Sequence, residues 1–297
     1  MYLVHYTQDV TDSEELFAPS LGVLLEDAIA PVIDPQTGEF ADLYSTPLAT
    51  LREWVTAAAN GTNRISLDSV AIAPAPPRMI WAAGVTYKRS QQARMEESSQ
   101  KDVYDKVYDA DRPELFLKCA TVAASQGEPI TVRSDSTWDV PEPEMTLVIN
   151  NQQEIVAFTI GNDVSSRDIE GQNPLYLPQA KMWDGSAAVS PIFRLNTDDF
   201  NASAAGIELT IDRNGETAFQ GEANTSQMHR SFEDLVDWLH RGQHFPLGAY
   251  LMTGTGIVPP DDFTLQGGDE VTISIEGIGS LTNPVAVIDV STNTLRT

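Results

Sequence analysis

An α+β fold with more strand than helix is what this chain's sequence predicts, on three observations. Short runs rich in β-branched and aromatic residues recur along its 297 residues, bounded by Gly, Pro, Asn or Asp. Helical periodicity is confined to a few segments. Strands and helices do not alternate in the β-α-β order that a doubly wound parallel sheet requires.

Residues 1–72 read as a small N-terminal α/β unit, with a strand at 2–6 and a mixed segment around Leu21 to Leu25. Its helix runs from Pro47 to Asn60, with Leu48, Leu51, Val55 and Ala58 at helical spacing and Gly61 as the stop. Pro74-Ala75-Pro76-Pro77 is a stiff connector into the main body, 73–297. That body opens with a buried-type strand, Met79 to Val85, followed by the polar stretch Tyr87 to Lys106. The stretch favours helix yet has little apolar face, so it reads equally as a mobile cover or a surface helix. Short strands follow at 113–118 and 128–132. Asn214-Gly215 joins 207–212 and 217–219 as a hairpin, Phe232 to His240 is an amphipathic helix, and 271–275 and 285–290 are the last strands. The loop Thr253-Gly254-Thr255-Gly256 offers amides beside hydroxyls, as a carboxylate cradle would.

The net charge of −25 argues against nucleic acid and anionic membranes as partners, because both are bound by Lys/Arg surfaces. No window approaches the roughly 18 apolar residues of a membrane span, and the N-terminus lacks a signal-peptide pattern, so the expected location is the cytoplasm. Cys119 is the one cysteine, which excludes an intrachain disulfide and reads as a small buried hydrophobe. The acidic, lysine-poor composition fits either adaptation to high salt or an acidic protein from an arginine-preferring genome. Melting in dilute buffer and in molar KCl separates the two: stability that does not rise with salt removes the first.

The chemistry concentrates in one extended stretch, Trp138-Asp139-Val140-Pro141-Glu142-Pro143-Glu144 and the apolar run after it. Side chains two apart on a strand share a face, so Glu142 and Glu144 project together. Pro143 has no N–H for a ladder, which places the pair at a strand beginning or a sheet edge. Two carboxylates that close repel unless a cation separates them or one takes up a proton. The next strand, Glu154 to Asp163, folds back through Asn151-Gln152-Gln153 and brings Asp163 beside them. Three carboxylates without His or Cys suit an octahedral Mg²⁺, or Mn²⁺, better than zinc.

Eight short motifs in order, Gly84-Val-x-Tyr87, Phe116-x-Lys118, Glu142-x-Glu144, Gly161 to Asp168, Lys181, Asn224-Thr225-Ser226-x-Met228, Thr253-Gly254-Thr255 and Gly268-Asp269, resemble the fumarylacetoacetate hydrolase superfamily from about residue 78 onward. The resemblance implies a mixed β-sandwich roll, Mg²⁺ (or Mn²⁺) on Glu142, Glu144 and Asp163, and assembly as a homodimer or homotetramer. It further implies substrate-binding positions at Arg89, Ser90, Lys118, Glu170 and Thr255.

Hydrolases of that family carry a His shortly after the Gly-x-x-Tyr segment. Here Tyr87 to Glu97 contains none, so C–C hydrolysis lacks its usual means of activating water. The stretches around Asp111 to Glu114, Glu170 to Lys181 and Thr253 to Pro260 resemble the branch that dehydrates 2-keto-3-deoxy sugar acids, in which Glu114 and Lys181 match the proton carriers. The implied activity is Mg²⁺-dependent loss of water from a 2-keto-3-deoxypentonate, giving 2,5-dioxopentanoate. The keto acid would chelate the metal, and Lys181 and Glu114 would between them take the C3 proton and protonate the departing C4 hydroxyl, either residue being a candidate for either transfer. Other readings stay open: Glu114 as an ion-pair partner of Arg112 or Lys118, Lys181 paired with Asp184, a diketo-acid hydrolase using Glu96 or Glu97, and a binding protein of the same fold without activity.

Overall fold

The strand that begins at Pro143 and the one that follows form the central hairpin of the molecule. The computed structural model describes residues 1–297 apart from 9–18, 98–105, 120–122, 293 and 297. In chain order come β1 (Tyr2–Gln8), β2 (Ser20–Leu24), β3 (Ala28–Pro31), α1 (Leu48–Asn60), β4 (Ile65–Ser66) and β5 (Val70–Ile72). Next are β6 (Ile80–Gly84), α2 (Lys88–Glu97), β7 (Glu114–Cys119), β8 (Ile130–Arg133) and β9 (Asp139–Val140). The central hairpin is β10 (Pro143–Ile149) and β11 (Ile155–Asp163), followed by β12 (Ser165–Ser166), α3 (Arg167–Gln172), α4 (Leu177–Lys181), β13 (Ala187–Val189) and β14 (Ile192–Leu195). The last third holds β15 (Gly206–Arg213), β16 (Glu216–Asn224), α5 (Phe232–His240), β17 (Ala249–Met252), β18 (Glu270–Ile275), β19 (Gly279–Asp289) and β20 (Thr294–Arg296).

Two large mixed sheets face one another. The first has twelve strands in the order β4-β3-β2-β1-β14-β11-β10-β17-β6-β7, with β13 on β11 and β5 on β1. The second has six, β16-β15-β18-β19-β20 with β8 on β19. Parallel pairing occurs at β17–β6 and β19–β8. Alternation on β10 explains why it sits in the middle: Met145, Leu147 and Ile149 enter the core between the sheets, while Val148 enters a second core on the other face. Pro143 is tolerated in this interior strand because it is the first residue, and β17 pairs only with Thr146 to Ile149. The turn is organised by Asn150, whose Oδ1 accepts from the amides of Gln152 (3.0 Å) and Glu154 (2.9 Å).

The N-terminal strands extend the same sheet. β1 pairs antiparallel with β14, and Leu3, Leu21, Val23, Leu51 and Val55 share one apolar cluster with Ile80, Ala82, Val148 and Tyr250. The expected boundary near residue 72 falls just before a stretch without regular structure, while sheet and core run across it. Asn214 (φ 55°) and Gly215 (φ 81°) form the expected hairpin turn. Cys119, expected buried, is half-buried at the end of β7. No helix among the described residues is long and apolar enough to cross a membrane.

His5 lies in the N-terminal core, stacked on Tyr44 and edge-on to Phe193. Burial pushes its pKa down to about 4 from 6.5. A lowered folded-state pKa means the neutral ring is favoured, so its contribution is full above pH 6.5 and is lost as pH falls toward 4. We expect about 2 kcal/mol to be lost from this group between pH 7 and pH 5. Denaturant titrations at the two pH values should show this loss in the wild type and a shallower one in His5→Phe; equal slopes would refute it.

Candidate active site

Hairpin geometry assembles the acidic cluster. Pro143 pairs with Asn162, Glu144 with Gly161, and the Asp163 amide donates to the Glu142 carbonyl at 3.0 Å. Glu142, Glu144 and Asp163 are all buried, and each offers a carboxylate oxygen within 4.8 Å of the others. The expected convergence of the three is therefore present. An all-oxygen donor set of this kind fits a hard dication such as Mg²⁺ or Mn²⁺.

Cationic groups are distributed unevenly around the cluster. Lys181 Nζ donates to Glu142 Oε2 (2.9 Å), Asp163 Oδ2 (3.1 Å) and Ser165 Oγ (2.6 Å). Lys118 Nζ stands 2.6 Å from Asp163 Oδ1, and Arg167 Nη2 lies 3.1 Å from Glu142 Oε1. Glu144 Oε2 accepts from a neutral donor, the Gly254 amide at 2.6 Å. Burial, then the charges of Asp163 and Glu142, hold the Glu144 carboxyl well above the usual carboxylate range. A dication at this point would relieve that repulsion, so the residues present fit the metal.

The amide that holds Glu144 depends on glycine. Gly254 has φ 95°, and a Cβ there would stand 2.0 Å from Thr86 Oγ1. The loop expected to cradle a carboxylate thus cradles the protein's own. Thr255 is buried beside it and turns its hydroxyl to the Ile257 carbonyl at 3.3 Å.

Position along β7 decides three further placements. Glu114, Phe116 and Lys118 alternate onto one face. Glu114 lies over Gly84, where a Cβ would approach its Oε2 to 2.1 Å, so only glycine leaves this carboxylate where it is. The Phe116 ring lies 5.3 Å from Lys181 Nζ, and Lys118 is the deepest of the three. Together with Ala83, Val85, Ser90, Glu142, Asp163, Glu170, Lys181, Gly254 and Thr255, the first two line a small pocket. No histidine lines it. A larger groove of about 420 Å³, edged by Glu128, Asp184 and Leu295, includes none of the candidate residues.

Most of the expected residues meet here, but not all. Ser90 is buried at the pocket wall, its hydroxyl donating to the Tyr87 carbonyl at 2.8 Å. Glu170 lines the pocket and lies 3.7 Å from Arg167. Arg89 is exposed on the first turn of α2 and is not part of the lining. Lys118 is not part of it either. The side chains of Glu96 and Glu97 lie outside the described residues. Lys181 is joined to Glu142 and Asp163 rather than to Asp184. Sequence reasoning gave no role to Ser165 or Arg167. Their position directly after Asp163, at the start of a helix, was the available signal.

The sequence model described as fumarylacetoacetate (FAA) hydrolase C-terminal matches residues 79–286. The chain is 42% identical over 290 residues to a Haloferax volcanii protein named "Probable 2-keto-3-deoxyxylonate dehydratase", covering 96% of this chain and all of that one. It is 41% identical over 217 residues to the 2-dehydro-3-deoxy-D-arabinonate dehydratase of Saccharolobus solfataricus, covering 71% and 73%. Among solved structures, a 2-keto-3-deoxy-D-arabinonate dehydratase complexed with magnesium and 2,5-dioxopentanoate superposes with a TM-score of 0.75 at 32% identity, over 97% of this chain and 100% of that one. Its apo form gives a TM-score of 0.78 over 97% and 99%. With a matched segment that spans the whole pocket and a fold shared end to end, the chain belongs to the fumarylacetoacetate hydrolase family.

Proposed function

We propose that this protein is a Mg²⁺-dependent hydro-lyase that removes water from a 2-keto-3-deoxypentonate to give 2,5-dioxopentanoate. The observation that carries the reading is the meeting of Glu114 and Lys181 in one small pocket with Glu142 and Asp163 of the buried carboxylate triad, and with no histidine in the lining. The pairing of titratable groups suits proton removal and delivery rather than attack by water. The names borne by two relatives more than 40% identical support the same class.

A dication held by Glu142, Glu144 and Asp163 would supply positive charge next to the keto acid as negative charge develops there. Lys181, whose Nζ reaches Ser165 and two carboxylates, would accept the C3 proton in its neutral form, which the charge of a dication on those carboxylates would favour. Glu114 is the donor to the departing C4 hydroxyl, set above Gly84 at the pocket wall. Loss of H from C3 and OH from C4 yields a C3=C4 alkene. Transfer of a proton from C5 to C3 then converts the C5 alcohol, through its enol, into the aldehyde of the product. Phe116 sets its ring 5.3 Å from the Lys181 ammonium, and Arg167 orients Glu142 through their 3.1 Å contact.

Two experiments test the assignment. Glu114→Gln and Lys181→Met should each lower turnover by about 10² or more while Mg²⁺ still raises the melting temperature. Near-normal turnover in both would defeat the proton roles. Glu144→Gln keeps an acceptor for the Gly254 amide and removes one of three crowded charges. It should stabilise the metal-free protein by roughly 1 kcal/mol or more and abolish the Mg²⁺-dependent rise in melting temperature. A lower metal-free melting temperature, or an undiminished response to Mg²⁺, would show that Glu144 is not a ligand.

A further inference from the structure

We propose that Lys118 is a positioning residue, an internal staple that fixes Lys181 and Asp163 relative to one another and makes no contact with substrate. This rests on the dehydratase reading for its kinetic part only. Lys118 is 1% exposed, and its ammonium has three hydrogens to place. It donates to the Val164 carbonyl at 2.7 Å and to the Lys181 carbonyl, and stands 2.6 Å from Asp163 Oδ1. These partners all belong to the protein, and Lys118 does not line the pocket, so we place it behind the site and not, as its motif position implied, on the substrate.

The staple adds to a sparse set of links between these parts of the chain, among them the Val164 amide on the Ser186 carbonyl at 3.0 Å and the pairing of Asp163 with Ala187. Val164 follows β11, which ends in Asp163, and Lys181 ends α4, which has only five residues. A helix that short has little stability of its own. Its last carbonyl, that of Lys181, accepts from Lys118 and from Ser186 Oγ at 3.1 Å. Lys118 thus sets the main chain from which the Lys181 ammonium reaches Glu142 and Asp163, while Phe116, two residues earlier, packs under that same ammonium. One strand therefore presents Glu114 to the pocket and anchors Lys181 behind it.

Lys118→Met preserves the stem and removes the donors. Hydrogen exchange of the 177–186 amides should accelerate about tenfold or more in the metal-free protein. In the Mg²⁺-loaded enzyme, kcat on 2-keto-3-deoxypentonate should fall about 10²-fold with KM within about threefold of wild type, as for loss of geometry rather than of binding. Unchanged exchange overturns the staple whatever the kinetics, and so does a tenfold rise in KM with kcat retained, which marks a substrate contact. If Lys118→Met does not fold, Ser186→Ala removes the lesser tether: it should accelerate exchange over the same amides, and no change there would refute the proposal. A wild type inactive on every 2-keto-3-deoxy acid would refute the dehydratase reading and leave the exchange measurement to decide the staple.

Discussion

The acidic cluster on which the site is built follows from one antiparallel pairing, that of β10 with β11. The two strands are joined by a short turn, and their register sets Glu144 opposite Gly161 and ties the amide of Asp163 to the carbonyl of Glu142. A slip of one residue would send these side chains to the opposite face. Register is secured by burial on both faces, because Met145, Leu147, Ile149, Phe158 and Ile160 fill one core and Val148 and Val156 the other.

Such a cluster is costly to bury, and the molecule answers the cost with fixed cations. Lys118, Lys181 and Arg167 are each at most 2% exposed and each lies against one or two of the carboxylates. Ion pairs this deep gain from the low dielectric only when further donors are also satisfied; the carbonyls of Val164 and Lys181 do this for Lys118 and the hydroxyl of Ser165 for Lys181. Glu144 is the member left facing like charge with one amide for support, so the electrostatics point to that corner as the place where further positive charge is most favourable.

Sheet curvature makes the arrangement possible. β7 is four positions from β11 in the strand order, a separation of about 19 Å if the sheet were flat. Yet Lys118 Nζ lies 2.6 Å from Asp163 Oδ1. The sheet must therefore curl around the pocket, bringing β6 and β7 back over the hairpin. That closure, and not proximity in the chain, sets Glu114 and Lys181 in one cavity.

The sequence by itself determined what depends on short-range periodicity and on residues with few conformational choices. The Glu142, Glu144 and Asp163 convergence was legible because strand alternation and one tight turn suffice to produce it. So were the helix that Pro47 opens and Leu51 and Val55 bury, the Asn214-Gly215 turn, and the absence of a histidine after Tyr87. Tertiary structure alone decided which charges meet. Arg89 and Ser90 are neighbours in the chain, yet one is exposed and the other buried, because α2 turns between solvent and the pocket wall. Lys118 carries the same motif signal whether it touches a ligand or the main chain, and only the fold shows its donors committed to Val164 and Lys181. The physical reason is range: backbone preference and side-chain period act over a few residues, whereas the partner of a buried charge is set by strands brought together from distant parts of the chain.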